Sequence, residues 1–480
     1  MKHTTSYVKL VGLALLPLAI AACSSFKSPD TVRDSAQLPM PDSSFALPVE
    51  ATEAQPIAAW WSQFNDAPLN RLVASALTHN HSVRIAAASL AESRAYLRES
   101  KFDRYPTVEA ELNTTRQRQS ADVVGEAGSR ISQTYATGFD ASWELDLFGR
   151  VRNGVRESQA LAAASEADLH AAQVSVSAEV ASAYVNLRGF QYLLDVAAQN
   201  VAIQRQTLNL TQRYFEVGLG DELNVARAKS QLELTRARVP SIEAQINTSL
   251  NRLQVLTGRK LPELKNQLAE VQPLPSLPAT FAVGDPQSML QRRPDIHRAE
   301  QALAASVAQY NIRVADLYPS ISITGGLGYL SSDWSRLGDS VTSTFLFAPQ
   351  IRWAAFNMGR VNAEIDAADA RTQARLAEFE QSVLLALEET DNSLQNYTRE
   401  EQRRAGLQQA AKASTKAADL AGRKFELGNG DFLTVLDAQR SQLDVSAQLA
   451  QSDIQVLLNL IAVYKSLGGG WEAAEQLAGM

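Results

Sequence analysis

Between Thr107 and Asp146 apolar and polar residues alternate with a period of two, the pattern of strands with one dry and one wet face. Val108, Ala110 and Leu112 point one way, and Thr107, Glu109, Glu111 and Asn113 the other. After a polar, glycine-containing stretch from Ser120 to Arg130 the alternation resumes. Tyr135, Phe139, Ala141, Trp143 and Leu145 then oppose Thr134, Gly138, Asp140, Ser142, Glu144 and Asp146. A second hairpin has Ile321, Ile323, Leu327 and Tyr329 on one strand and Phe345, Phe347, Ile351 and Trp353 on the next, with Ser331 to Ser340 as its loop.

After each hairpin the period changes. From Gly149 and again from Gly359 run proline-free stretches of about 66 residues, which as helices would extend roughly 100 Å at 1.5 Å per residue. In the first, Val180, Leu187, Leu194, Val201, Leu208 and Phe215 recur every seventh residue, and Val176, Ala183, Phe190 and Ala197 supply the second seam position of a coiled coil. A glycine-bearing turn follows each stretch. The returning helices carry the seams Leu232, Val239, Ile246 and Leu253 in one case and Leu443, Ala450, Leu457 and Tyr464 in the other. Asp221 and Asp431 are placed to cap them, and Pro240 is expected to kink the first. Leu69 to Phe102 reads as an Ala-rich helix that stops where Tyr105-Pro106 demands extended backbone.

The landmarks occur twice. Arg213 to Asp221 returns as Arg423 to Asp431, Trp143 as Trp353, Gly149-Arg150-Val151 as Gly359-Arg360-Val361, and Tyr105-Pro106 as Tyr318-Pro319, at an offset of about 210 residues. The chain therefore divides into repeat 1 (59–260), a Pro-rich linker (261–286), repeat 2 (287–470) and a tail (471–480). Ahead of them, residues 1–22 read as an export signal, with Lys2 and Lys9 before an apolar run from Val11 to Ile20. Residues 23–58, with Pro39, Pro41, Pro48 and Pro56 among small polar residues, suit an extended tether.

Four strands of 10 to 13 residues can each cross a bilayer when tilted, but four cannot close a barrel. Open sheet edges are not tolerated in lipid, so strands from at least two chains must share one barrel. The fold class expected is thus an α+β membrane channel. A soluble sandwich with one polar face is the rival reading of the same alternation. Net charge is −7, and no basic block is long enough to track a phosphate backbone, which argues against nucleic acid as a partner.

Cys23 is the only cysteine, follows small residues at the end of the apolar run, and resembles the lipid-bearing cysteine of bacterial lipoproteins; Ser24 after it resembles an outer-membrane address. Over nearly all of the mature sequence the chain resembles the outer-membrane channels of tripartite efflux pumps, the TolC-like family, and within it the NodT-type lipoprotein branch. The motifs that carry the resemblance are Trp60-Trp61 with Phe64, Asp66, Leu69 and Leu72; Ser142 to Val151; Arg292 to Ile296 with Arg298-Ala299-Glu300; Leu317 to Ser320; and Leu433 to Ala438. It implies a homotrimer with a 12-stranded transmembrane barrel, four strands per chain, continued by a long periplasmic α-helical barrel with an equatorial belt. Partners would be a periplasmic adaptor, an inner-membrane pump, most often proton-driven in this branch, and outer-membrane lipid. Apart from the lipid on Cys23, no cofactor is implied.

The same resemblance makes Val217, Gly218, Leu219, Leu427, Gly428 and Asn429 the adaptor-docking tips, against the simpler role of helix–turn–helix links. It makes Asp437 part of a ring of carboxylates at the periplasmic entrance, against a surface pair with Arg440; where some relatives carry a second aspartate, this chain has Thr434. No catalytic constellation is recognisable. His79 and His81 lack companions at metal-ligand spacing, and Glu144 with Asp146 reads as lumen lining rather than an acid–base pair. Two other readings remain, an envelope spacer lipoprotein built on its coiled coils and an envelope hydrolase using Glu144 and Asp146.

Overall fold

The computed structural model describes residues 58–120, 130–284 and 286–473, with Pro48, Ala51, Thr52, Ala54 and Asp122 besides. Cys23, the export signal, most of the tether and the last residues of the tail lie outside the described residues. In chain order the elements are β1 (Ala51–Thr52), a 3-10 turn (Trp60–Phe64), α1 (Ala67–His79), α2 (His81–Phe102), β2 (Thr107–Arg118), β3 (Ile131–Leu145), α3 (Arg150–Glu216) and α4 (Glu222–Thr257). Then come α5 (Leu261–Leu268), β4 (Phe281–Ala282), α6 (Pro286–Arg292), α7 (Pro294–Ala315), β5 (Ser320–Ser331), β6 (Ser343–Arg352), α8 (Met358–Glu426) and α9 (Phe432–Ser466). The long stretches after each hairpin are single helices of 67 and 69 residues.

The chain forms two compact units. One takes its described residues from Arg104–Glu157 and Ser306–Leu376. Its four strands make one antiparallel sheet in the order β2-β3-β5-β6, so the two hairpins join through β3 and β5, with Phe139 opposite Leu327 and Trp143 opposite Ile323. Directly opposed residues in such a pair share a face. Val108 therefore sits with Ala141, and Phe347 with Gly325, on the apolar face, while Glu109 sits with Asp140, and Gln350 with Ser322, on the polar one. Phe345, 82 % exposed, and Leu327, Phe139 and Ile351 face outward uncovered. A soluble sandwich would bury such a row. The equivalent tryptophans serve equivalent ends, Trp143 Nε1 donating to Arg104 O at 3.1 Å and Trp353 Nε1 to Leu317 O at 3.0 Å.

The second unit takes Pro41–Asp103, Ser158–Ala305 and Ala377–Met480. Its core gathers around Trp60, stacked on Tyr464 with ring centroids 5.0 Å apart, with Phe64, Phe281, Leu187, Leu253 and Leu457. Both returning-helix seams are buried at Leu232, Leu253, Leu443, Ala450, Leu457 and Tyr464, and half-buried at Val239 and Ile246.

The structure revises several expectations. The helix expected over Leu69 to Phe102 is two, because Asn80 takes an extended conformation (φ −61°, ψ 133°); its Oδ1 accepts from Ser82 N, and its Nδ2 donates to Leu256 O at 2.8 Å. The heptad seam of α3 stays apolar through Val201 and Leu208, both half-buried, but its second position turns polar beyond Ala197. Further along, Gln204, Thr207 and Thr211 are buried, Gln439 donates to Thr207 Oγ1 at 3.0 Å, and Phe215 is exposed. The linker contains α5, and its β4 pairs in parallel with β1, tying the end of the tether to it.

Candidate functional site

Each long helix ends in the same glycine-terminated cap. At the first tip Gly218 N donates to Phe215 O at 3.0 Å and Leu219 N to Tyr214 O at 2.8 Å, with Gly218 at φ +75°. At the second, Gly428 N donates to Phe425 O at 2.9 Å and Asn429 N to Lys424 O at 3.0 Å, with Gly428 at φ +74°. These paired bonds satisfy the last carbonyls of α3 and α8, and only glycine takes the left-handed turn without strain. Asp221 caps α4 by accepting from Leu223 N at 3.1 Å. Asp431 stands at the equivalent place before α9 but makes no side-chain cap bond, a correction to the expected symmetry.

The two tips meet side by side. Tyr214 lies 5.4 Å from Phe425, which lies 5.6 Å from Phe432, and Phe432 is buried with Ala228 and Leu436. Val217, Leu219 and Leu427 stay outside this cluster, 69 %, 77 % and 77 % exposed. Turn chemistry accounts for the glycines, not for three bare apolar side chains. Asp437 is also exposed, on α9, and makes no ion pair with Arg440 among the described residues, so the surface-pair alternative is not formed.

Glu144 and Asp146 are each committed to a neighbour. Glu144 binds Arg150 through both guanidinium arms. That hydrogen bond, against some desolvation, holds Arg150 above its ordinary pKa. Asp146 lies just past β3 and accepts from Val151 N at 3.1 Å and Arg152 N at 3.0 Å, capping α3. Glu144 thus lies on the polar face of the sheet, and Asp146 just past the strand at the start of α3. No group of three or more His, Cys, Asp or Glu that could hold a metal exists among the described residues. Among them, too, no helix is long and apolar enough to cross a membrane.

A family profile described as outer membrane efflux protein matches residues 72–259 and 286–469. The chain belongs to the outer membrane efflux protein family. It is 30 % identical over 466 residues, 96 % of each chain, to the probable efflux pump outer membrane protein TtgC of Pseudomonas putida. It is 29 % identical, over 95 % of this chain and 97 % of that protein, to the cation efflux system protein CusC of Escherichia coli. The solved outer-membrane channel OprN is similar in fold, with a TM-score of 0.85 at 37 % identity, covering 90 % of this chain and 98 % of that one. This outer membrane efflux protein is accordingly an α+β outer-membrane channel chain with a periplasmic helical part.

Buried Arg188 was not singled out in the sequence, and the structural role of the Arg292-Arg293 motif was not legible there. Arg188, 1 % exposed, donates to Tyr184 Oη, Gln191 Oε1 and Glu270 O, while Tyr184 Oη donates to Asp66, the cap of α1. Burial pushes the Tyr184 phenol up to about 12. Arg293, in the Arg-Arg-Pro-Asp-Ile motif, binds Asp295, Glu389 at 2.7 Å and Ser466 O at 2.7 Å, so it ties the start of α7 to α8 and to the end of α9. Arg292 grips Glu472 at 2.7 Å, anchoring the start of the tail. These motif residues are clamps. A charged residue on a heptad helix reads as surface unless its burial is known, and only the Arg-Arg pair before proline hinted otherwise.

Proposed function

We propose that three copies of this chain close one passive exit duct through the outer membrane. The carrying observation is the four-stranded sheet, apolar on one face and polar on the other, with the outer edges of β2 and β6 unpaired among the described residues. Unpaired backbone is untenable in lipid, and three copies supply twelve strands. The polar face, with Glu109, Asp140 and Glu144, then lines the water-filled path, and the helices carry that path into the periplasm. Small toxic molecules delivered by an inner-membrane pump, proton-driven in this reading, leave through it without chemical change, so the chain is not an enzyme.

The exposed Val217, Leu219 and Leu427, with Gly218, Gly428 and Asn429, support a tip that docks a periplasmic adaptor: bare apolar groups at helix ends gain by burial against a partner. Asp437, exposed and without the Arg440 pair, supports a threefold carboxylate ring at the entrance, where converging charges attract cations and repel one another. Cys23 carries the acyl anchor, and outer-membrane lipid is the medium around the barrel. Purified protein in planar bilayers tests the duct: ion conductance is expected, and its absence would favour a structural spacer lipoprotein.

A further inference from the structure

On the apolar face of the sheet the register sets two aromatic levels. Trp143, opposite Ile323, marks one; Tyr135, opposite Ser331 and edge-on to Trp334 at 5.4 Å, marks the other. The eight residue steps from one to the other span roughly 20 Å of membrane at a rise of about 3.4 Å per residue and a tilt of 35–45°. The apolar band of an outer-membrane barrel is about 25 Å tall, with aromatic side chains at its two boundaries. Beyond the Tyr135 level the same face turns basic. Val108, Ala110 and Leu112 stand opposite Ala141, Phe139 and Thr137, and in the same register Arg116 stands opposite Gln133 and Arg118 opposite Ile131.

Both arginines are exposed, and neither has an ion-pair partner among the described residues. Carboxylates of the other hairpin's loop are already engaged: Asp333 accepts from Ser335 N and Oγ at 2.9 Å, and Asp339 pairs with Arg336. Two arginines whose Cα atoms lie about 7 Å apart along the strand therefore stand on the lipid side, just past the outer edge of the apolar band. Planar guanidinium forks match phosphate oxygens two at a time. Solvation alone would be served as well by Ser or Asn at these positions.

We infer that Arg116 and Arg118 bind the phosphates of phosphorylated glycolipid in the outer leaflet, one site on each chain of the assembled barrel. The inference rests on the sheet being the membrane wall. Delipidated trimer mixed with diphosphoryl lipid A and weighed by native mass spectrometry should carry the lipid. Arg116→Ser with Arg118→Ser should weaken binding by about tenfold or more, whereas the corresponding Lys double variant, which keeps the charge and loses the fork, should fall between wild type and the Ser variant. Arg352→Ser, which removes a cation from the polar face at the other end of the sheet, should match wild type. Wild-type protein should also bind lipid A stripped of both phosphates about tenfold more weakly, a comparison that needs no variant to fold.

Equal binding of the two lipids, or of wild type and the Ser double variant, overturns the site. So does undiminished lipid A binding in the presence of inorganic phosphate combined with equal capture of the stripped lipid, because acyl chains alone would then be held. Trimer mass and bilayer conductance keep the two levels apart: a protein that neither assembles nor conducts contradicts the barrel, whereas a conducting trimer indifferent to phosphate contradicts only the lipid site.

Discussion

Replacing Gly218 and Gly428 together tests whether the tips are more than connectors. Both hold left-handed backbone, at φ +75° and +74°, and a Cβ at either would meet nothing within 4 Å, so the cost of a side chain is conformational rather than steric. An L-residue in that region costs roughly 1–2 kcal/mol, or roughly 2–4 kcal/mol for the two tips of a chain. Asn, which tolerates the conformation, should cost a smaller part of this. Neither glycine belongs to the buried cores of the helical unit, so the chain should still fold and assemble with either substitution. The Glu pair adds charge beside Val217, Leu219 and Leu427, where a partner's apolar surface would have to desolvate it. Cellular efflux and crosslinking from cysteines at positions 219 and 429 to the adaptor are the readouts, with trimer yield as control. The Glu pair should abolish efflux and crosslinking at normal trimer yield, and the Asn pair should keep most of both. Gly220→Ala should be worse for folding than either, because its Cβ would lie 2.9 Å from Phe215 N. Normal efflux and crosslinking in the Glu pair would refute the docking role.

Cys23→Ala should abolish fatty-acid labelling, and labelling that persists would move the anchor elsewhere. Asp437→Ala should weaken entrance block by multivalent cations several-fold in single-channel recordings; identical block would remove it from the entrance ring. Arg188→Met should lower stability in detergent by roughly 1–3 kcal/mol, since it removes the buried donor that serves Gln191 Oε1 and Glu270 O. An unchanged melting temperature would show that the buried guanidinium is not required.

The strand faces were legible because a period of two survives any tertiary context that keeps one face wet, and the observed register preserves it from Val108 to Arg118. The long helices were legible because nothing between Arg150 and Glu216 breaks them. The break at Asn80 was not. It depends on a hydrogen bond to Leu256 O, 176 residues away, and local propensity carries no trace of that partner. The pairing of β1 with β4 spans a similar distance with two residues on each side, too few for a periodic signal. The capping role of Asp146 was not legible, because the alternation continues one residue past the strand, where helix capping takes over. At the candidate site the paired turns were visible as a repeat, and the unequal caps at Asp221 and Asp431 were not.

The central claim is that the two open edges of the sheet close against other copies of the same chain. Single cysteines placed along β2 and along β6, paired in one protein whose Cys23 is replaced, and oxidised in intact outer membranes, test it directly. Matching positions should give a covalent ladder that ends at three chains, with native mass spectrometry of the detergent extract showing the same trimer. A monomer with no crosslink at any position, or a ladder that stops at two chains around a closed eight-stranded barrel, would contradict the account.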